Sequence, residues 1–287
     1  MPTRRADLVP ARLPRLRPMT AADIEAASRA ILADDWGDRR AWFQYVVATP
    51  TVHGLVAESA DGEVVGTAVA AVHGPVAWIG TIWVQSAWRG QGLGAALTDA
   101  ALDAAQAAGC ATQILVATSA GRPLYERLGF EVQTWYRTME APGRNGPAPG
   151  AVRAYRDADL AAISKLDRSA TGEDRSMALR TFAAPGTARV LVRDGDVRGF
   201  VIRAPWGGGA TVATTADGAL AILQARLVAA GPGRTVRCGI ILDNEAGGAA
   251  LDAAGWTEAW RAPRLIRGAA LDWDPTMLWG QFNHAMG

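Results

Sequence analysis

The stretch Ala77–Ala95, AWIGTIWVQSAWRGQGLGA, constrains the fold more than any other part of the chain. Its first half is apolar and rich in β-branched and aromatic side chains (Trp78, Ile79, Ile82, Trp83, Val84), the composition of a buried strand. Its second half, Arg89-Gly90-Gln91-Gly92-Leu93-Gly94, is a turn that no core accepts. The Ala/Leu-rich run from Ala95 to Ala108 then reads as a helix. A strand, a glycine turn and a helix start together aim several unpaired backbone N–H groups at one point. That is an anion site, suited to a phosphate or pyrophosphate.

The rest of the chain alternates in the same manner. Leu16–Met19 reads as a short strand and Thr20 as the N-cap of a helix from Ala21 to Leu32. Asp34-Asp35-Trp36-Gly37-Asp38 interrupts it, and Arg39–Ala48 reads as a second helix. Gly54–Glu58 and Glu63–Val72 form a hairpin through Asp61-Gly62. After the helix of the opening stretch come a strand at Thr112–Ala117, a short helix at Gly121–Leu128 and a strand at Glu131–Glu140. The segment 141–150, APGRNGPAPG, is a linker by composition.

Beyond it the pattern repeats. Leu16-Arg17…Asp23-Ile24 returns as Val152-Arg153…Asp159-Leu160. Cys110 and its strand return as Cys238 and Arg237–Leu242. The run Arg122–Phe130, RPLYERLGF, returns as Gly248–Trp256, GAALDAAGW. Two copies of one α/β (α+β) unit follow, each a mixed, mostly antiparallel twisted sheet flanked by helices. The expected boundaries are a disordered tail at 1–14, a first domain at 15–140, the linker, a second domain at 151–268 and a tail at 269–287. Of the 11 tryptophans, Trp78, Trp83 and Trp88 surround the opening strand. Trp206, Trp256 and Trp260 are expected in the second core, and Trp273 and Trp279 in a tail that folds back as a short helix.

Composition narrows the function. Hydrophobic residues are 49% of the 287 and charged residues 20%, as in a packed globular protein. A net charge of +1 gives no reason to expect nucleic acid. No run of about 18 apolar residues suggests a membrane span. The Arg- and Pro-rich N-terminus lacks the apolar region of a signal peptide, so a cytoplasmic protein is expected. The 3 histidines and 2 cysteines are too scattered for a metal centre or a disulfide framework.

Arg89-Gly-Gln-Gly92-Leu-Gly94 resembles the acyl-CoA signature R/Q-x-x-G-x-G/A of the GNAT N-acetyltransferase superfamily. Thr118…Gly121-Arg-Pro-Leu-Tyr125-Glu-Arg-Leu-Gly129-Phe130 is similar to that family's N-x-x-A-x-x-F/L-Y-x-x-x-G-F element. The usual Asn falls on Thr118 and the usual Ala on Gly121. A dinucleotide fingerprint needs G-x-G-x-x-G with an acid about 20 residues on, which is absent. The chain looks most like tandem GNAT proteins with an active N-terminal and a degenerate C-terminal half.

The resemblance implies acetyl-CoA as co-substrate, with no metal, and a small-molecule amine as acceptor. Residues Gly90–Ala95 (Gly90, Gln91, Gly92, Leu93, Gly94, Ala95) would hold the pyrophosphate, with Arg89 at the rim. Ile82, Trp83 and Val84 would offer backbone groups to the pantetheine arm, where their strand splays from the next. Thr118 and Gly121 would complete the cofactor site. Tyr125 would protonate the thiolate leaving group as general acid; its plain alternative is a core tyrosine.

Asp34, Asp35 and Trp36 would line the acceptor pocket, two carboxylates beside an aromatic suiting a cationic amine. A solvated helix end with an anchoring tryptophan is the competing reading. Glu58, His73 and Asp35 are candidate general bases, and none is assigned. The second half has Thr215-Ala-Asp-Gly218 where the glycine loop should be and Leu251 where Tyr125 should be. It is expected to bind no acyl-CoA. Two functions stay open: an N-acetyltransferase, monomeric or homodimeric, or a non-catalytic acyl-CoA sensor.

Overall fold

The computed structural model describes residues 14–287. The tail expected at 1–14 falls almost wholly outside them. The first half runs β1 (Arg15–Pro18), a 3₁₀ turn (Ala21–Asp23), α1 (Ile24–Ala33), α2 (Arg40–Ala48), β2 (Val52–Glu58), β3 (Val64–His73), β4 (Val76–Val84), α3 (Leu93–Ala107), β5 (Thr112–Val116), α4 (Arg122–Arg127) and β6 (Glu131–Pro142). The second runs β7 (Val152–Ala154), α5 (Leu160–Thr171), α6 (Ser176–Phe182), β8 (Ala188–Arg193), β9 (Asp196–Arg203), β10 (Gly209–Ala213), α7 (Ala216–Ala230), β11 (Thr235–Ile241), α8 (Glu245–Ala253), β12 (Thr257–Gly268) and β13 (Leu278–Gly280).

The repeat has a physical core. Arg17 binds Asp23 through both guanidinium nitrogens at 2.8 Å, and Arg153 binds Asp159 in the same bidentate way at 2.8 and 2.7 Å. Each pair ties the first strand of its half to the turn that starts the first helix. Such forked contacts are among the stronger protein hydrogen bonds.

The two halves share their last strands. One sheet has the order β1-β2-β3-β4-β5-β12-β6-β11, the other β13-β10-β9-β8-β7. So β12, from the second half, lies against β5 of the first, with Leu265 opposite Leu115. In exchange β6 lies against β11, with Met139 opposite Cys238. The linker starts later than its composition suggested, because β6 continues to Pro142 to complete this pairing.

The C-terminal tail departs from expectation. It forms a 3₁₀ turn at Pro275–Met277 and the strand β13, not a helix. Leu278 and Gly280 pair with Val212 and Thr211 of β10, and Trp279 is buried in the second core. Tertiary pairing overrides local preference there. Trp256 is buried as expected, and Trp206 packs with Trp42, Tyr45 and Phe182. Trp260 is not in the core: it is 41% exposed, beside a register shift in β12 between Glu258 and Trp260. A one-residue slip turns side chains to the other face.

Candidate active site

The glycine turn adopts the geometry its sequence demands. Gly90 and Gly92 have φ of +75° and +86°, a region that side chains with a Cβ avoid. Gly92 is the N-cap of α3 in this left-handed conformation, and no side chain caps the helix. The first intrahelical bond is Ala96 N–H to Gly92 O, so the amides of Leu93, Gly94 and Ala95 precede the ladder. A Cβ built on Gly92 would meet no atom within 4 Å. The turn is therefore an open cradle of donors at the positive end of a 15-residue helix, and a pyrophosphate fits it.

The strand beside the turn is bulged. Trp83 lies opposite Thr67 and Gly80 opposite Val69, so Thr81 and Ile82 together face Ala68. Thr81 takes φ +52°, rare for a β-branched residue. Two contacts hold it there. Its carbonyl accepts from Thr67 Oγ1 at 2.8 Å, and its hydroxyl accepts from Trp42 Nε1 at 3.0 Å. Bulges recur next to active sites because they re-aim the chain.

β4 and β5 run parallel only from Val76 opposite Thr112 to Trp78 opposite Ile114. Beyond Trp78 the two strands diverge, while β5 stays paired with β12 along its other edge from Thr112 to Val116. The edge from Gly80 to Val84 thus faces a gap that opens toward the glycine turn. Ile82 and Val84 are half-buried along it, and the Trp83 indole is buried on the opposite side.

Tyr125 stands on α4, the short helix that follows β5, in the core beneath α3. It is 9% exposed, lies edge-on to Phe130, and its hydroxyl makes no hydrogen bond among the described residues. Burial pushes its phenol up to about 12, so it stays protonated at neutral pH. Thr118 Oγ1 accepts from Gly121 N at 3.1 Å and starts α4. A Cβ on Gly121 would stand 3.0 Å from the Tyr125 ring, which is why a glycine here suits a close ring.

Asp34, Asp35 and Trp36 do not act as one group. Asp34 accepts from Trp83 Nε1 at 3.0 Å and is ion-paired with Arg89. It therefore joins the α1–α2 segment to the glycine turn. Asp35 is exposed with φ +61°, and Trp36 packs half-buried against the core. Arg89 also donates to the Val84 carbonyl at 2.8 Å. Of the candidate bases, Glu58 is held by Arg17 at 2.7 Å, and His73 is buried with Nε2 donating to the Met286 carbonyl at 3.0 Å.

Residues 281–287 belong to the site's surroundings, and no periodic pattern marks them. They pack on the face of β4 opposite α3. A Cβ on Gly80 would meet Ala285 Cα at 2.7 Å and the His284 carbonyl at 3.3 Å. His284, one of only 3 histidines, was the single clue.

The second half lacks this apparatus. Thr215 caps α7, its hydroxyl accepting from Gly218 N at 3.2 Å, so the helix start is satisfied from within. β13 occupies the edge of β10. Leu251 is fully buried, and Asn244 caps α8 while donating to the Thr276 carbonyl at 2.8 Å.

This arrangement defines a GNAT-type acetyltransferase fold in tandem. Residues 20–130 match the model of the Acetyltransferase (GNAT) family, and this segment is a GNAT-family domain. The full chain is similar in structure to a candidate acetyltransferase from Pyrococcus horikoshii, with a TM-score of 0.81, 22% identity and 95% of each chain covered. A GNAT N-acetyltransferase from Sphaerobacter thermophilus superposes with a TM-score of 0.65 and 17% identity over 90% of this chain and 98% of that one. A tandem GNAT protein from the clavulanic acid biosynthesis pathway gives 0.60 and 17% over 89% and 98%. No curated protein matches in sequence. Among the described residues, no helix is long and apolar enough to cross a membrane.

Proposed function

We propose that the chain is an acetyl-CoA-dependent N-acetyltransferase that acylates a primary amine of a small molecule, with one active site per chain. The observation that carries this reading is a contrast. In the first half a left-handed, uncapped glycine turn opens beside a diverging strand edge. In the second half the same two places are filled by Thr215 and β13.

The residues take separate roles. The N–H groups of Gly92–Ala95 bind the pyrophosphate, and the backbone of the Ile82–Val84 edge aligns the pantetheine arm by strand addition. Arg89 steadies the turn through Asp34. Tyr125, on α4, is a phenol that remains protonated, and it supplies the proton that the departing thiolate takes. Transfer is direct, from thioester to amine within one ternary complex.

Calorimetric titration with acetyl-CoA tests the site count, and thiol release over a panel of amines tests the chemistry. One equivalent bound with amine-dependent release is expected. Binding of two equivalents would return the second half to function. Tight binding with no release for any amine would make the protein an acyl-CoA sensor.

A further inference from the structure

The edge of β4 that faces the gap is not bare. Gln85 N donates to Val65 O at 2.9 Å, and the next residues along, Val84 and Trp83, lie opposite Gly66 and Thr67. In an antiparallel ladder, residues that exchange hydrogen bonds alternate with residues that do not. The Val84 N–H and C=O therefore point away from β3, into the gap from which β5 has diverged. Arg89 already holds that carbonyl: its Nε donates to Val84 O at 2.8 Å. The same guanidinium is ion-paired through Nη2 with Asp34, and Asp34 also accepts from Trp83 Nε1 at 3.0 Å. One side chain thus satisfies an acceptor of the open edge and neutralises the carboxylate at the end of α1.

This places Arg89 between two claims. Strand addition works through the N–H and C=O of outward-facing residues such as Val84. A donor 2.8 Å from an outward carbonyl stands where the amide of an added strand would stand. The amide-bearing pantetheine arm and Arg89 therefore compete for one place. The second claim is on the charge. Arg89 immediately precedes Gly90, the first left-handed residue of the turn, so a pyrophosphate on the turn is an anion that rivals Asp34 for the guanidinium. The Arg89 side chain is 54% exposed, so it can exchange one anion for the other without opening the core. Asp34 is less free, because the buried Trp83 indole fixes it.

We propose that Asp34 is a positioning residue that holds Arg89 on the Val84 carbonyl in the free chain, and that acyl-CoA displaces this contact as it docks. This rests on the reading of Gly90–Ala95 and the Ile82–Val84 edge as the acyl-CoA site. Before docking, the contact covers a strand edge that would otherwise present unpaired groups. After docking, the arm takes the carbonyl, Arg89 turns to the pyrophosphate, and Asp34 keeps only the Trp83 indole. The end of α1 then stays tied to the bulged strand and is released from the turn. Occupancy of the acyl-CoA site is thereby passed to the segment between α1 and α2. An exposed ion pair is weak, so the latch tunes affinity and does not bar entry.

The test is acetyl-CoA affinity, read by calorimetry, in the parent, Asp34→Asn, Arg89→Met and the double variant. Asp34→Asn keeps an oxygen for the indole and should tighten binding by up to about five-fold at low salt. In the Arg89→Met background, where the turn's amides still bind, the same substitution should leave the affinity unchanged. Equal tightening in both backgrounds would be plain repulsion between Asp34 and the phosphates, and would overturn the latch. Unchanged or weaker binding by Asp34→Asn would overturn it as well. A second readout follows the indole in the chain labelled at tryptophan nitrogen. The Trp83 resonance, identified as the one that Asp34→Asn moves, should shift as acetyl-CoA saturates the parent and stay in place in Arg89→Met. A Trp83 resonance unmoved at saturation of the parent overturns the proposal. A parent that binds no acetyl-CoA overturns the acyl-CoA reading itself, and the latch falls with it.

Discussion

Asp34 receives both Arg89 and the Trp83 indole, and through this one carboxylate the end of α1, the bulged strand and the glycine turn become a single unit. The two partners contribute differently. Arg89 is half in solvent, and an exposed ion pair contributes about 0–1 kcal/mol. The Trp83 N–H is on a buried ring, and stranding it costs roughly 1–3 kcal/mol. Asp34→Ala should therefore destabilise by that larger amount in urea unfolding. Asp34→Asn keeps an oxygen for the indole and should recover most of it. Equal losses in the two variants would place the stabilisation in the charge instead.

Ala95 stands in the first turn of α3, among the amides assigned to the pyrophosphate. A carboxylate there interacts well with the helix dipole, by about 0.3–1 kcal/mol, yet repels a bound anion. Ala95→Glu should leave Tm unchanged or slightly raised while weakening acetyl-CoA binding by about ten-fold or more, equivalent to at least 1.4 kcal/mol. Calorimetry and thermal melts on one sample decide it. Unweakened binding would move the anion away from this helix end.

Tyr125 makes no hydrogen bond through its hydroxyl among the described residues, so Tyr125→Phe removes a proton donor and little else. Its stability should lie within about 0.5 kcal/mol of the parent and its acetyl-CoA affinity should be unchanged. Turnover should fall by roughly 10²–10⁴-fold. A rate equal to the parent's would leave Tyr125 as a core residue packed on Phe130.

Acid should unfold the chain in two stages. Burial, with the Arg175 charge nearby, lowers His73 from 6.5 to about 4, so protons favour the unfolded chain. Its share of stability is complete above pH 6.5 and is lost as pH falls through 4. The Arg17 hydrogen bonds lower Asp23 from 3.8 to about 2, and Arg153 lowers Asp159 in the same direction. Those contributions persist above pH 3.8 and disappear as pH falls toward 2. Melting curves against pH should show both declines. Asp23→Asn should reduce the overall Tm and flatten the lower limb alone; a lower limb as steep as the parent's would detach it from this pair.

What the sequence disclosed was local. The glycine turn was legible because φ above zero is a property of single residues. The repeat was legible because Arg17 and Asp23, like Arg153 and Asp159, are six apart and meet within one turn. What it concealed was long-range. β6 and β12 both follow a short helix that ends in a glycine and an aromatic, and alternation says nothing about which strand will be the neighbour. Leu278–Gly280 became a strand because β10 had a free edge, a fact of the tertiary structure. His284 carried no pattern, and only the docking of the tail brings it to Gly80.

The exchanged strands make the two halves interdependent, although the repeat suggests two separable domains. β12 contributes a full partner to β5, and Arg264, 1% exposed, crosses from it to stack on Trp78 of the first half and Trp273 of the tail. A fragment ending at residue 150 would leave the edge Thr112–Val116 unpaired and β6 without either neighbour, and exposed hydrophobic edges aggregate. It should be insoluble or unfolded alone. Co-expressed with residues 151–287, it should form a stable one-to-one complex, and the intact chain should unfold in urea in one transition by both tryptophan fluorescence and far-ultraviolet circular dichroism. A soluble fragment with its own sharp transition would show that the first half closes its sheet without β12.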